Sequence, residues 1–307
     1  MPSSGGRRDL VRVVLWMTGA LLSFSAMAVS IRALAGTLRI MEILAIRNGG
    51  GLAILLALGV LNPAHMRALS ARRLALHVTR NTIHFGSQFL WAMGITLLPL
   101  ATVFALEFTM PAHTALLAAM FLGERLTPSR IGVVIFGFLG VLVILRPGLE
   151  SFQPAAFLVL GAAFGYAVSL TQTKALTSTE TTFAILLWMN VVQLPLAMLG
   201  SDPRSYFALG TAELLPIGAV ALSGLASHFC LAQAFRNGDA SLVVPLDFMR
   251  IPLIALVGWW LYGESLNAYV FLGAGLIVLG VLWNLRAEAA RNPLPTLPRK
   301  RGRVGRG

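Results

Sequence analysis

Val103-Phe-Ala-Leu-Glu-Phe-Thr-Met-Pro111 and Val243-Val-Pro-Leu-Asp-Phe-Met-Arg-Ile-Pro252 open two copies of one pattern. Val103, Leu106, Phe108, Ala115, Leu116, Gly123, Glu124 and Leu126 recur 140 positions later as Val243, Leu246, Phe248, Ala255, Leu256, Gly263, Glu264 and Leu266. The register holds without a gap from Leu139-Gly140-Val141-Leu142 to Leu279-Gly280-Val281-Leu282, and from Leu145-Arg146 to Leu285-Arg286. A carboxylate is kept as well, because Glu107 falls on Asp247. A period of this length is a duplicated half-molecule, not a solenoid repeat.

Outward from this stretch, the chain of 307 residues is 57% hydrophobic and only 12% charged, where soluble domains carry about 25% charge. Its mean hydropathy is +0.78. So much apolar surface has no place in a water-soluble core, and the composition predicts a polytopic, all-α membrane protein. A net charge of +12 would suggest nucleic acid in a soluble protein. Here the charge gathers at the ends and in short loops, where it sets topology, and no nucleic-acid partner is expected. The single cysteine, Cys230, excludes an intrachain disulfide and a Cys-based metal site.

A hydrocarbon core about 30 Å thick needs about 20 helical residues to cross it. Ten apolar runs meet that need, near 12–35, 40–61, 74–96, 99–122, 128–146, 154–175, 181–200, 213–235, 239–262 and 266–286. Ala26-Met27-Ala28 resembles a signal-peptidase site, but cleavage there would leave nine spans and break the five-plus-five pairing. Lys and Arg favour one side, which receives Arg7, Arg8, Arg12, Arg67, Arg72, Arg73, Arg125, Arg130, Lys174, Arg236 and the C-terminal cluster. The positive-inside rule therefore places both termini in the cytoplasm. Five spans per copy is odd, so the second copy enters the membrane inverted, an architecture of secondary transporters whose substrate site lies near the midplane. The expected organisation is a tail at 1–11, five-helix repeats at 12–148 and 149–288, and a basic, disordered tail at 289–307.

Ionisable groups at bilayer depth are costly and often mark a pathway. Arg80, His84, Gln88 and Trp91 are spaced four, four and three apart, on one helical face that either lines a cavity or knits helices together. Glu107 precedes Pro111 by four residues, so the carbonyl freed by the proline is that of Glu107 itself. Asp247 and Arg250 are three apart and can pair along one helix, or share Arg250 with a substrate carboxylate or phosphate. Arg47-Asn48 leads into Gly49-Gly50-Gly51, and the repeat has Met189 where Arg47 stands. His228 falls where Gln88 falls in the first copy, and Trp188, Asn190 and Gln193 complete the expected lining. Glu42 is placed at the interface by its position near the start of the second span. Glu124 and Glu264 read as structural caps that contact loop donors.

Pro111 through Gly123-Glu124-Arg125-Leu126, followed by Gly137-Phe-Leu-Gly-Val-Leu-Val-Ile-Leu-Arg-Pro-Gly148, resembles the EamA-type domain of the drug/metabolite transporter superfamily. Pro245 to Pro252, continuing to Tyr262-Gly263-Glu264, resembles a second such domain. Arg47 also fits the family's habit of an arginine in the second span. The resemblance covers residues 10–288 and implies a ten-helix metabolite carrier of the inner membrane with cytoplasmic termini.

The resulting expectation is a secondary transporter of a small metabolite working by alternating access, with a proton as candidate coupling ion. Amino acids, S-adenosylmethionine and riboflavin suit a lining of Arg, Glu, Asp and Trp. No cofactor or metal is expected. The alternatives are a membrane-embedded lipid-modifying enzyme and a channel, but neither HExxH spacing nor a repeated filter-like loop occurs. Gly137, Gly140, Gly273, Gly275 and Gly280 permit close helix packing and leave a homodimer open.

Overall fold

A computed structural model describes residues 4–67, 69, 72–121, 127–146, 153–177, 179–237, 243, 246–247 and 249–291. Gly123, Glu124, Pro245 and the basic tail from 292 onward lie outside them. The described regular structure is helical throughout. The first half contributes α1 (Ser4–Leu34), α2 (Ile40–Leu61), the short α3 (Pro63–Arg67), α4 (Leu74–Leu97), α5 (Leu100–Glu107), α6 (Met110–Phe121) and α7 (Pro128–Leu145). The second contributes α8 (Ala156–Thr177), α9 (Thr182–Leu199), a 3-10 turn at Pro203–Ala208, α10 (Leu214–Asn237), α11 (Arg250–Tyr262) and α12 (Ala268–Arg291).

Among the described residues, six segments are long and apolar enough to cross a membrane: Val11–Leu34, Ile40–Leu61, Ala156–Thr173, Thr182–Leu199, Leu214–Ala234 and Ala268–Ala287. Ile131–Leu145 and Arg250–Tyr262 are apolar but shorter. α4 has the length, but its row of Arg80, His84 and Gln88 lowers its hydropathy. The surface is inverted relative to a soluble protein. Leu15, Val60, Phe138, Trp260 and Leu272 are exposed, while Arg47, Arg80, Gln193 and Arg250 are buried. The chain is a multi-pass membrane protein whose polar groups face inward, as the cost of charge in hydrocarbon demands.

Lipid tails are as apolar as leucine, so close backbone contact and interhelical polar bonds hold such a bundle. α1 packs on α10, α4 on α8, α7 on α12, and α2 on both α9 and α10. The α7–α12 contact is backbone on backbone. A Cβ on Gly140 would come within 2.6 Å of Gly273 O, and one on Gly273 within 2.5 Å of Gly140 O. These two glycines thus serve a contact within the chain.

The span expected over 99–122, with Pro111 freeing the Glu107 carbonyl, is built from two helices. α5 ends at Glu107 and α6 starts at Met110, because Pro111 has no N–H for the Glu107 carbonyl and its ring crowds that oxygen. The break is closed locally, with Thr109 N–H donating to Leu106 O at 3.1 Å and Ala112 N–H to Thr109 O at 2.9 Å. α11 ends at Gly263, whose φ of 64° suits a residue without a Cβ. Its N–H reaches Trp259 O at 3.1 Å, and the next N–H reaches Gly258 O at 3.2 Å, which gives carbonyls of the last turn their partners.

Candidate functional site

The break after α5 leaves the Glu107 side chain facing the start of α11, where Arg250 is the first helical residue. Arg250 Nη1 lies 3.1 Å from Glu107 Oε1, and Nη2 lies 2.5 Å from Asp247 Oδ1. Asp247 lies three residues before Arg250 and outside α11. Trp91 of α4 donates from Nε1 to Glu107 Oε2 at 2.8 Å. The Arg250 guanidinium carbon sits 3.9 Å above the Phe24 ring of α1, with Phe108 and Phe104 at 5.4 and 5.7 Å. Arg250 is 3% exposed, so its charge is balanced by these two carboxylates and the ring faces. Two carboxyl groups thus share one guanidinium.

A second network joins α2, α4, α8, α9 and α10. Arg47 of α2 donates to Asn48 Oδ1 at 3.1 Å and to Gly224 O at 3.5 Å. Gly224 is where α10 makes room, since a Cβ there would fall 2.6 Å from Arg47 Nε. The Gln88 amide is assigned with its oxygen toward Arg47, accepting from Nε and Nη1 at 2.8 Å each, while its nitrogen donates to Gln193 Oε1 at 3.1 Å. Gln193 in turn meets His84 Nδ1 at 3.0 Å and donates to Asn81 O at 3.3 Å. Arg80 donates to Asn81 Oδ1 at 2.6 Å and to Thr173 Oγ1 of α8 at 3.0 Å.

Aromatic rings link the two clusters. His84 lies 5.7 Å from His228 and 5.2 Å from Tyr166, and His228 lies 6.2 Å from Phe24, on which Arg250 rests. One path therefore runs from the Glu107–Arg250–Asp247 cluster through Phe24, His228 and His84 to Arg47 and Arg80.

The sequence-predicted residues divide accordingly. Arg47, Asn48, Arg80, His84 and Gln88 share the second network, Trp91, Glu107, Asp247 and Arg250 share the first, and His228 stands between. Trp188 and Asn190 make their described contacts elsewhere. Trp188 packs against His77 at 5.7 Å, and Asn190 donates to Leu186 O in its own helix at 2.8 Å. Sequence reasoning missed Phe24, Tyr166, Thr173 and Asn81. Of these, Asn81 had a signal, since it lies three before His84 and seven before Gln88, on the same helical face.

Two further carboxylates sit at one end of the bundle. Glu42, near the start of α2, is fully buried within the protein, and it accepts from Arg39 Nη2 and from Asp202 N–H, both at 2.7 Å. That hydrogen bond and the carboxylate charge raise the Arg39 guanidinium above its ordinary value. Glu264 accepts from Leu100 N–H at 2.9 Å, as a cap on a loop donor would, and also pairs with Arg32. Arg32 donates to Ile95 O and Leu98 O as well, so α1, the α4–α5 turn and the end of α11 are tied together.

Residues 11–146 and 153–286 each match the EamA-like transporter family. The chain is 31% identical to a riboflavin transporter of Rhizobium johnstonii, over 92% of this chain and 93% of that protein. It is 26% identical to an S-adenosylmethionine uptake transporter of Rickettsia prowazekii, over 72% and 75%. It is 29% identical to a pseudopaline exporter of Pseudomonas aeruginosa, over 88% and 94%. A crystal structure at 17% identity shares the fold with a TM-score of 0.61, over 90% of this chain and 97% of its own. With a match in each half and relatives aligned along nearly its whole length, the chain belongs to the EamA-like transporter family.

Proposed function

We propose that the chain carries a small polar or amphipathic metabolite, of the riboflavin or S-adenosylmethionine kind, across the cytoplasmic membrane by alternating access. The observation that carries this reading is the buried path from Arg250 to Arg47 and Arg80. It offers a carboxylate-rich end, aromatic faces and a guanidinium end within one bundle, as an aromatic or zwitterionic solute requires. The relatives named for riboflavin and S-adenosylmethionine support the same class.

Two inverted halves at 12–148 and 149–288 suit this mechanism, and the helix pairings support them. Counting α5 with α6 as the fourth span, span 1 packs on span 8 and span 3 on span 6. Exchanging the halves turns each of these pairs into the other. The 2–7 and 5–10 pairs map onto themselves. Both termini are cytoplasmic in this reading, and Glu107 and Asp247 are the coupling candidates for a proton.

The test is uptake of labelled riboflavin and S-adenosylmethionine into proteoliposomes holding the purified chain. Saturable uptake above that of protein-free vesicles is expected for at least one of them. Folded protein that moves neither, by net uptake or by counterflow, sinks the proposal.

A further inference from the structure

Arg47 and Arg80 are 2% and 6% exposed, yet the acceptors they contact are all neutral: amide oxygens, a backbone carbonyl and a hydroxyl. The carboxylates in ion pairs among the described residues are engaged with Arg32, Arg39 and Arg250. Two positive charges are therefore buried without a counter-charge among the described residues. A buried charge left in that condition is strongly destabilising.

The hydrogen-bond inventory points the same way. Asn48 and Asn81 each give their side-chain oxygen to an arginine, which fixes the orientation of both amides. Their Nδ2 atoms are left buried, with no acceptor among the described residues. Arg80 spends Nε and Nη1 on neutral acceptors. The network thus has unused donors on two amides, together with surplus positive charge. Unused donors beside paired guanidiniums form a site for an anion, and the fork geometry of arginine suits carboxylate and phosphate oxygens. A wholly structural network would show the opposite, with buried donors satisfied.

We propose that Arg47 and Arg80, with the free amide donors of Asn48 and Asn81, hold an anionic group of the transported metabolite, a carboxylate or a phosphate monoester. This rests on the transporter reading above and narrows its substrate class. An uncharged solute leaves both guanidiniums uncompensated; a solute bearing one of these anions compensates them. The acidic cluster at Glu107 and Asp247 then faces the cationic or aromatic remainder of the same molecule.

The experiment uses matched solutes that differ in one anionic group: riboflavin with riboflavin 5′-phosphate, and S-adenosylmethionine with its decarboxylated form. Dissociation constants for the purified full chain and uptake into proteoliposomes are measured for all four. In at least one pair the anionic member binds about tenfold or more tightly than its partner, and this preference collapses in Arg80→Gln. Arg47→Gln serves if that variant does not fold, and the pairwise comparison on the unaltered chain needs no variant. The two pairs separate phosphate from carboxylate as the anion. Equal binding within both pairs, with transport intact, overturns the anion assignment and leaves the transporter reading standing. A preference that survives both Arg80→Gln and Arg47→Gln also overturns it. Failure of all four to bind or move overturns the transporter reading, and this inference with it.

Discussion

Arg250 and Glu107 stand 143 residues apart in the chain and 3.1 Å apart in the bundle, each at the edge of a helix that stops short of a full span. α5 ends where Pro111 denies it a partner, and α11 begins at Arg250 itself. Two interrupted helices thus bring a carboxylate and a guanidinium together in the bundle interior, with Asp247 as the second anion.

Removing the central charge of this group strands two carboxylates. Arg250→Met is expected to destabilise the protein by about 3–5 kcal/mol, the usual loss when one partner of a buried ion pair is removed. Adding Glu107→Gln and Asp247→Asn to Arg250→Met restores much of the stability, since no uncompensated charge then remains. Thermal unfolding in detergent reads both. A triple variant no more stable than Arg250→Met alone contradicts the pairing.

The short-range part of this site was legible in the sequence because helical spacing encodes it. Asp247 and Arg250 are one turn apart, and Arg80, His84 and Gln88 follow one face. Arg47 approaching that face from α2, and Glu107 reaching α11, are tertiary contacts for which spacing carries no signal. The break in α5–α6 was marked by Pro111, whose missing N–H frees the Glu107 carbonyl, although hydropathy is continuous over 99–122. Trp188 and Asn190 were placed in one lining, but residues two apart on a helix point to nearly opposite sides. Trp188 accordingly packs on His77, while Asn190 turns back to Leu186 O of its own helix.

Two glycines separate packing from positioning. A Cβ at Gly50 would fall 2.4 Å from Ala221 Cβ, and neither helix can yield there, so Gly50→Ala is expected to cost about 1–3 kcal/mol. A Cβ at Gly224 instead meets the Arg47 side chain, 2.6 Å from Nε and 2.9 Å from Cγ; a side chain yields more readily than a backbone, so Gly224→Ala costs less stability but displaces the guanidinium. Its signature is a KM for the transported solute raised about tenfold, equivalent to about 1.4 kcal/mol. Equal melting losses and unchanged KM in both variants contradict this division.

Arg32 and Glu264 clasp α1, the α4–α5 turn and α11 at one end of the bundle. Glu264→Gln keeps an acceptor for Leu100 N–H but removes the ion pair, so that end opens more often. Ser30, 4% exposed on α1, lies about half a turn from Arg32 and reports on the opening. In a Cys230→Ser background, Ser30→Cys is expected to react about tenfold faster with a membrane-impermeant maleimide when Glu264→Gln is present. Unchanged labelling shows that the clasp does not govern access.

Glu107 receives Arg250 on one oxygen and Trp91 on the other, so a proton added to this carboxyl weakens the tie between α5 and α11. Coupling through that event makes transport depend on a pH gradient. Glu107→Gln mimics the protonated state permanently, so the variant should still exchange solute in counterflow but no longer accumulate it when a gradient is imposed. Asp247→Asn is the matched control, because Asp247 pairs with Arg250 inside its own turn and does not join the two helices. Its gradient response is expected to fall less than that of Glu107→Gln. If Glu107→Gln accumulates solute as strongly as the unaltered chain, the proton is not carried at Glu107.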